Sequence, residues 1–268
     1  MKLTTKIVLG LFISIFLLSF VAIIGFSFLD RGKYDNRFVN TFLSISQENI
    51  IAVEIEPYQT IKIDKIQAED KFSGYPTGTI QLKPINNQEE TNKLFLPEEL
   101  LQFTDIVSLN DTLIIRLKIN EIREKYKNTL IEGFNFFVHT NTVDVLCNIN
   151  GIKVDVSNIT TDKIHIKTTG HIEIDSCQAN LIELYDTSDS RSFLFKNSKI
   201  KELNLDFDQM GSWKIENCEI EVLNLTGSKR HNVSLTPSEA KIMNWIPKNE
   251  DAQLTVTLRG DTARIEVP

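Results

Sequence analysis

The second half of the chain repeats an apolar pattern about every 20 residues, and this period limits the possible folds more than any other feature. Within each unit, apolar residues alternate with polar ones, as expected for a strand with one buried face. The first column of the repeat is Val154, Ile174, Phe195, Ile215 and Leu235, preceded two residues earlier by Ile152, Ile172, Phe193, Trp213 and Val233. The spacing within each column is nearly constant, which indicates a true internal repeat.

Each unit continues with a small residue and then a second apolar strand. The small residues are Ser157, Cys177, Ser198, Cys218 and Ser238. The second strands carry apolar residues at offsets of zero, three and five, namely Ala179, Ile182 and Leu184; Ile200, Leu203 and Leu205; Ile220, Leu223 and Leu225; Ala240, Met243 and Trp245. Ile159, Ile164 and Ile166 fit after a two-residue insertion, and Val143 with Val145 indicates a partial coil before them.

A unit of two short strands cannot bury its apolar face alone, so the units must stack. The sequence therefore predicts an all-β fold, a right-handed parallel β-helix or β-solenoid with coils of about 20 residues over 135–268. Each strand should pair in parallel with its equivalent one coil away. A leucine-rich repeat has a similar period, but the second half of each unit shows no helical spacing.

The first half of the chain is β-rich without a strict period. Residues 50–134 contain strand-like runs and are predicted to form a cap that continues the sheet and covers an end of the stack. Asn110 and Asp111 suit a two-residue hairpin turn, and Pro97 suits the start of a short helix. The segment NEIREKYKN at 120–128 fits either a helical turn or an exposed loop, and the polar residues 30–49 resemble a stalk.

Residues 7–29 contain no charge, and 18 of the 23 are apolar. As a helix they would be roughly 35 Å long, enough to cross a hydrocarbon core of about 30 Å. The run is longer than the apolar part of a cleaved signal peptide, which favours an uncleaved membrane anchor behind a cytoplasmic tail of residues 1–6. The expected location is a bacterial membrane crossed once, with a periplasmic or otherwise extracytoplasmic C-terminal domain, although the flanking basic residues are nearly balanced across the span.

The charge outside the span argues against nucleic-acid binding. Only Lys2 and Lys6 precede residue 30, so the remainder holds 27 basic and 36 acidic side chains, a net charge of -9. Affinity for nucleic acid depends on basic side chains that neutralise phosphates. The expected partners are therefore the membrane, through 7–29, and an envelope glycan or protein.

The chain resembles the GIN-domain proteins, the candidate auto-transporter adhesin head proteins of Bacteroidetes. The resemblance depends on YQTIKIDKI at 58–66, DIVSLNDTLIIRL at 105–117, and repeats such as FLFKNSKIKELNLDF and WKIENCEIEVLNL. It covers most of 50–268 and implies a short right-handed β-helix behind an N-terminal export or anchor segment. It implies no catalytic residues, and only 11 glycines occur here, whereas the family is richer in glycine.

The cysteines and histidines do not predict a metal site or a cofactor. Cys177 and Cys218 share a column but are separated by the intervening rung, about 9 to 10 Å, which is too far for a disulfide. They are expected to be small buried residues, and with Cys147 they show no metal-ligand spacing. The histidines are expected on the surface and lack the spacing of metal ligands: His139, His165, His171 and His231.

One outward column of the second strands is the candidate binding face. It consists of Asp144, His165, Glu183, Asn204, Asn224 and Asn244. Stacked amides can hydrogen-bond along a sheet, which favours a structural ladder, but a flat row of amides also suits a carbohydrate. The outward column of the first strands, which looks like a solvated face, is Asp155, Asp175, Lys196, Glu216 and Thr236.

Four acidic residues in the turns after the second strands suggest a weak cation site. They are Asp186, Asp189, Asp206 and Asp208, on neighbouring coils. Ca²⁺ prefers several carboxylate and carbonyl oxygens, but the spacing is not that of a known calcium loop. Solvation of the turns is the simpler interpretation.

No phosphate loop, nucleophile elbow or HExxH motif occurs, and short coils leave little room for a walled catalytic groove. The chain is therefore predicted to be a non-enzymatic, membrane-anchored envelope protein with an adhesin-like binding function. The alternatives are a carbohydrate-active enzyme of the β-helical type and a structural protein of envelope assembly.

Overall fold

Two β-sheets enclose one apolar core, and successive strands of the repeat alternate between them. The computed structural model describes residues 42–65, 76–87, 90–118, 130–186, 192–209, 211–235 and 240–258. The predicted tail 1–6 and membrane span 7–29 lie outside these ranges, as does the predicted helix or loop at 120–128. Within the described ranges, no helix combines the length and apolar character that a membrane crossing needs.

The strands of the described ranges are β1 (Phe42–Ser44), β2 (Ile50–Glu54), β3 (Thr60–Lys65), β4 (Pro76–Lys83), β5 (Lys93–Pro97), β6 (Thr104–Leu109), β7 (Thr112–Leu117), β8 (Leu130–His139), β9 (Val143–Cys147), β10 (Ile152–Ser157), β11 (Thr160–Thr168), β12 (Ile172–Asp175), β13 (Gln178–Asp186), β14 (Ser192–Lys196), β15 (Lys199–Asp206), β16 (Ser212–Glu216), β17 (Glu219–Gly227), β18 (Arg230–Leu235), β19 (Ala240–Pro247) and β20 (Gln253–Leu258). Two 3-10 helical segments cover Glu98–Phe103 and Phe207–Gln209.

The strand order shows how the units stack. Sheet 1 has the order β16-β14-β12-β10-β4-β8-β5-β2, with β1 paired to β8. Sheet 2 has the order β19-β17-β15-β13-β11-β9-β3-β7-β6, and β18 pairs with β20 in a separate two-stranded sheet. Pairing between the described strands is parallel except for β2 with β5, β5 with β8, and β6 with β7.

The register confirms the predicted period through most of the stack. Val143 and Val145 lie opposite Ile164 and Ile166, their equivalents in the next coil. The same alternation continues in sheet 2, where the inward column runs Ile164, Ile182, Leu203, Leu223 and Met243. Nearly all of the inward side chains are buried, so the apolar columns form the continuous interior that the repeat requires.

At β10 the predicted alignment is wrong by two residues. Val154 lies opposite Ile172 and not Ile174, so this coil is two residues shorter than predicted. The turn from β11 to β12 is two residues shorter than the turns from β13 to β14 and from β15 to β16. Gly170 permits this short turn, because a Cβ there would lie 1.8 Å from the carbonyl oxygen of Ile152.

At the corner between its two strands, each unit has one residue whose backbone lies in the left-handed region of φ/ψ space. These are Asn158, Ser176, Asn197 and Asn217, with φ between 47° and 60°. Asparagine tolerates this conformation better than most residues. At Ile159, Cys177 and Ser198, the next residues along the chain, the carbonyl accepts a hydrogen bond from an amide of the following coil. Ile159 therefore occupies the corner position of its coil that the sequence analysis predicted for Ser157.

The first-strand column ends earlier than predicted. Val233 was expected opposite Trp213, but β18 leaves sheet 1 and pairs with β20, where Val233 lies opposite Val256. The ring of Phe207 contacts both Trp213 of β16 and His231 of β18, with centroids 6.0 and 5.0 Å apart. Packing of these rings replaces the backbone ladder at this end of sheet 1.

The first half of the chain continues the two sheets. β3 and β7 lie in sheet 2, β4 lies in sheet 1, and β8 crosses the predicted boundary at 134/135. Part of the predicted stalk is β1, which pairs with β8, and Ile45 beside it is buried. The hairpin prediction is confirmed, since Asn110 and Asp111 join antiparallel β6 and β7 with positive φ. The helical segment after Pro97 is a 3-10 helix.

The cysteines are buried thiols and form no disulfide in the described residues, in agreement with the sequence. Cys177 and Cys218 flank Ser198 in one column, and the Ser198 hydroxyl accepts a hydrogen bond of 3.0 Å from the Cys177 amide. Burial raises the pKa of Cys147 and of Cys177 to about 11. Both thiols are therefore protonated and unreactive at neutral pH.

Replacement of Ile215 by Asp tests the inward column. Ile215 is 7% exposed and lies opposite Phe195, so a carboxylate there would be buried among apolar side chains. We expect a loss of at least about 4 kcal/mol, on the order of the total stability of many domains. Thermal unfolding followed by circular dichroism measures this loss.

The matched control is Lys214→Asp on the outward face of the same strand. It removes an ion pair with Glu216 and should cost no more than about 1 kcal/mol. An unchanged unfolding temperature for Ile215→Asp would contradict the inward position of Ile215.

Candidate binding face on sheet 2

The predicted outward column is aligned along sheet 2 as the sequence analysis expected. Its members are Asp144, His165, Glu183, Asn204, Asn224 and Asn244, each opposite the next. The alignment follows from the parallel register, because residues that share a position in the repeat face the same side of the sheet.

The three asparagines form a hydrogen-bonded amide ladder. Asn244 Nδ2 donates to Asn224 Oδ1, and Asn224 Nδ2 donates to Asn204 Oδ1, both at 2.8 Å. Asn224 Nδ2 also donates to Glu202 Oε1 at 2.9 Å. These bonds hold the amides in fixed orientations along the face.

The acidic end of the same column is also held in place by hydrogen bonds. His165 Nδ1 lies 2.6 Å from Asp144 Oδ1, and Asp144 Oδ2 accepts a hydrogen bond of 2.7 Å from the Thr60 hydroxyl. The His165 ring also meets the Tyr185 ring edge to face, with centroids 5.5 Å apart. The column is thus a continuous row of oriented polar groups from β3 to β19.

A groove of about 380 Å³ lies on this face and crosses β13, β15, β17 and β19. Its lining includes three members of the predicted column, Glu183, Asn204 and Asn224. The other lining residues are Leu184, Tyr185, Glu202, Leu205, Asp206, Thr226 and Ile246. His165 and Asn244 belong to the column but lie beyond the lining of the groove.

The carboxylates of the groove differ in their partners. Lys163 Nζ lies 2.7 Å from Glu183 Oε2, and this hydrogen bond raises the pKa of Lys163. Lys248 Nζ lies 2.6 Å from both carboxylate oxygens of Asp206. Glu202 forms no ion pair within the described residues and is bonded only to the Asn224 amide there. The lining itself contains no basic side chain.

Part of the predicted cation site is occupied by a lysine of the protein. Lys248 Nζ bonds Asp206 and also lies 3.0 Å from Asp208 Oδ2. Of the other two predicted residues, Asp186 is the last residue of β13, and Asp189 lies outside the described residues. No group of three or more described histidines, cysteines and carboxylates is arranged to hold a metal ion. At Asp206 and Asp208, the positive charge that a bound cation would bring is supplied by Lys248.

Asp208 is stabilised in its charged form. Burial opposes that form, but hydrogen bonds from the Ser228 amide at 2.9 Å and from Lys248 outweigh it and hold the pKa of Asp208 well below its usual range. His231 Nε2 lies 3.5 Å from Asp208 Oδ1, the oxygen that also accepts the hydrogen bond from the Ser228 amide. Asp208 therefore connects the turn after β15, the turn after β17 and the segment after β19.

An aromatic cluster beside these charges was missed by the sequence analysis. Phe207 packs against His231 at 5.0 Å and against Trp245 at 6.3 Å between ring centroids. The sequence predicts Trp213 as a member of the first-strand column and His231 as a surface residue. His231, with 19% of its side chain exposed, is mostly covered, and so is His139, whose Nδ1 pairs with Glu90 at 3.0 Å. The prediction of surface histidines is wrong for these two, while His171 is exposed.

The outward face of sheet 1 carries a denser charge network than predicted. Asp155 lies opposite Glu173 and not Asp175, because of the short coil at β10. Glu173 pairs with Lys153 and, at 2.8 Å, with Lys196, and the hydrogen bonds from these lysines lower its pKa. Burial raises the pKa of Asp155. The remaining order, Asp175 opposite Lys196 opposite Glu216, agrees with the prediction of a solvated charged face.

Sheet 1 also has a smaller, apolar groove of about 260 Å³. Phe95, Phe137 and Ile50 line it, and Lys83 Nζ lies 5.9 Å above the Phe137 ring centroid. Ile50, Lys83 and Phe95 belong to the predicted cap and Phe137 to the predicted solenoid, and none of them was predicted to form a site. Their outward position follows from the alternation in β5 and β8, which places Leu94, Phe136 and Val138 in the core.

Comparison with known proteins gave structural similarities at low identity. A candidate adhesin from Bacteroides fragilis matches with a TM-score of 0.43 and 13% identity, over 81% of this chain and 96% of that chain. A candidate adhesin from Parabacteroides distasonis matches with a TM-score of 0.36 and 12% identity, over 82% and 98%. A candidate lipid binding protein from the same species matches with a TM-score of 0.32 and 9% identity, over 81% and 98%.

No protein-family model and no curated protein matches the chain. The structural similarities are too distant to assign a function to it, and membership of the GIN-domain family stays a prediction.

The substitution Asp208→Asn tests the charge that connects the three turns. It removes the negative acceptor for Lys248 and for the Ser228 amide, so we expect a loss of about 1 to 3 kcal/mol in the free energy of unfolding at neutral pH. The pKa of Asp208 is lower in the folded state than its ordinary value, so its charge contributes fully to the free energy of unfolding above the ordinary carboxyl pKa. This contribution is lost as the pH falls through the folded-state pKa.

Urea unfolding from about pH 7 to about pH 3 measures the effect, and the difference between parent and variant should narrow as the pH falls. Asp162→Asn is the control, since Asp162 is exposed and accepts a single hydrogen bond from Asn180. A difference that stays constant over this pH range would show that the Asp208 charge is not the cause.

Proposed function

We propose that the chain is a membrane-anchored binding protein of the cell envelope, with an adhesin-like role, and that it binds its ligand on the outward face of sheet 2. The observation that carries this proposal is the position of the larger groove, which lies on the amide ladder. The ligand would be an envelope glycan or protein.

The hydrogen bonding of the ladder suits recognition. Asn204 and Asn224 are held by neighbours on the adjacent strands, so little side-chain freedom is lost when a ligand contacts them. The backbone beneath them is fixed on both sides by parallel strands. A preorganised row of donors and acceptors provides specificity at low entropic cost.

The scaffold in this proposal is a right-handed parallel β-solenoid. Its support is the alternation of successive strands of the repeat between the two sheets, with each strand from β9 to β17 paired in parallel to its equivalent one coil away. Connections between parallel strands of one sheet are right-handed in about 98% of cases. In this proposal the strands of 50–134 form a cap that continues the two sheets at one end of the stack.

The membrane attachment in this proposal is the uncharged segment 7–29, which the described residues do not include. Residues 30–41 connect it to β1 at Phe42. The binding face would then lie on the periplasmic or otherwise extracytoplasmic side.

Asn224→Asp is the variant that tests the face. The new carboxylate would lose both donated hydrogen bonds and would stand beside Glu202, so ligand contact should be weakened at least about tenfold. A glycan array and a purified envelope-protein panel, probed with the full-length chain, measure binding. Asn180→Asp is the matched control, since it makes the same chemical change on the exposed start of β13, outside the groove.

Equal binding by the two variants would contradict the assignment of the face. Release of new reducing ends from a bound polysaccharide, abolished by Glu202→Gln, would instead support the carbohydrate-active enzyme. Stable assembly with envelope components that is unaffected by Asn224→Asp would support the structural alternative.

Protease treatment of spheroplasts tests the location. With a C-terminal epitope on the full-length chain, we expect loss of the epitope while a cytoplasmic marker stays intact, because the domain would lie outside the inner membrane. Immunoblotting of both proteins gives the result. Retention of the epitope until the membrane is lysed would place the domain in the cytoplasm.

A further inference from the structure

We infer that the groove on sheet 2 binds an uncharged, extended polysaccharide that runs across the strands, with one sugar residue per strand. This inference depends on the proposed function, since it specifies the ligand of the same face. It follows from three features of the groove: its repeat distance, its direction and its charge.

The repeat distance of the groove fits a polysaccharide better than an extended peptide. The column members that line the groove, Glu183, Asn204 and Asn224, occur once per strand, and neighbouring strands lie about 4.8 Å apart. A pyranose residue in an extended 1,4-linked chain advances by nearly the same distance. An extended peptide advances about 3.3 Å per residue and would lose register with the amides after one or two steps.

The groove runs in the direction that this match requires. Its lining comes from four consecutive strands of sheet 2, so its length crosses them. Tyr185, with 41% of its surface exposed, lies on the first of these strands, and Ile246, with 52% exposed, lies on the last. Both offer apolar surface to the C–H faces of a sugar ring. Asp206 and Thr226 lie between them, and the polar floor formed by Glu202 and Asn204 lies beside this row.

The floor offers the hydrogen-bonding groups that hydroxyls require. Glu202 has a carboxylate that can accept hydrogen bonds from hydroxyl groups, and its present partner in the described residues is one amide N–H. Asn204 takes part in the ladder as an acceptor, which leaves its amide hydrogens directed away from Asn224. Carboxylates and amides side by side suit neighbouring hydroxyls that act as both donors and acceptors.

The charge of the groove excludes acidic polymers. Its lining contains three carboxylates and no basic residue. The lysines beside it are already bound, Lys163 to Glu183 and Lys248 to Asp206, so Glu202 leaves one charge without an ionic partner among the described residues. A uronic acid or a phosphate on each sugar would bring like charges close to Glu202, which costs free energy.

An oligosaccharide length series tests the inference. Isothermal titration of the full-length chain with gluco-, xylo-, manno- and N-acetylglucosamine oligosaccharides, all β-1,4-linked, measures affinity from two to about eight sugar residues. For the series that binds, we expect affinity to rise with each residue up to about four, because the groove crosses four strands, and then to level off.

Oligomannuronates of the same lengths, which are β-1,4-linked like the neutral series, test the charge. At low salt they should bind at least about tenfold more weakly than the neutral series, and added salt should reduce the difference. Glu202→Gln should also reduce it. Glu221→Gln is the matched control, since Glu221 lies on the same sheet outside the groove and is 54% exposed, and this variant should leave the difference unchanged.

Each failure has a distinct meaning. Affinity that does not increase beyond two residues, or tighter binding of oligomannuronates, would overturn the inference while the binding face stands. If none of the four neutral series binds and an envelope-protein ligand is lost in Asn224→Asp, the glycan assignment is wrong and the face is right. If Asn224→Asp affects no ligand at all, the proposed function itself fails.

Discussion

Parallel pairing between equivalent strands of successive coils is the interaction on which the rest of the structure depends. The register of these pairs determines which outward residues are neighbours. A shift of one strand by one residue would exchange its core face for its solvent face. The inward columns make such a shift costly. Leu203 and Leu223, for example, lie opposite each other in the core, while Asn204 and Asn224 meet on the outside as a consequence.

The repeat could be predicted from the sequence where the coils have equal length. Ile182, Leu203 and Leu223 follow one another at the regular period, and the strands, the register and the amide column all followed from that spacing. The prediction failed where one coil is short. Nothing in the apolar pattern distinguishes Ile172 from Ile174 as the partner of Val154, because both are inward and two residues apart. The deciding residue is Gly170, whose close approach to Ile152 is a three-dimensional fact.

The same distinction explains which parts of the candidate site could be predicted. The column from His165 to Asn244 was predictable because its members share one position in the repeat. The ion pairs of Lys248 were not, because Lys248 follows the last strand of sheet 2 and reaches turns two coils earlier in the chain. The aromatic cluster of Phe207, His231 and Trp245 likewise joins residues at unrelated positions of the pattern. Asn197 and Asn217 could have been found, since asparagine recurs directly before the small corner residue.

The amide ladder has a direction. Each bond runs the same way, from Asn244 to Asn224 and from Asn224 to Asn204, so the side-chain dipoles add along the face. One terminus presents amide hydrogens and the other a carbonyl oxygen, as in a short helix laid across the sheet. A polymer with two different ends would therefore make different contacts with the ladder in its two orientations. Such a ladder distinguishes the polarity of a bound chain as well as its composition.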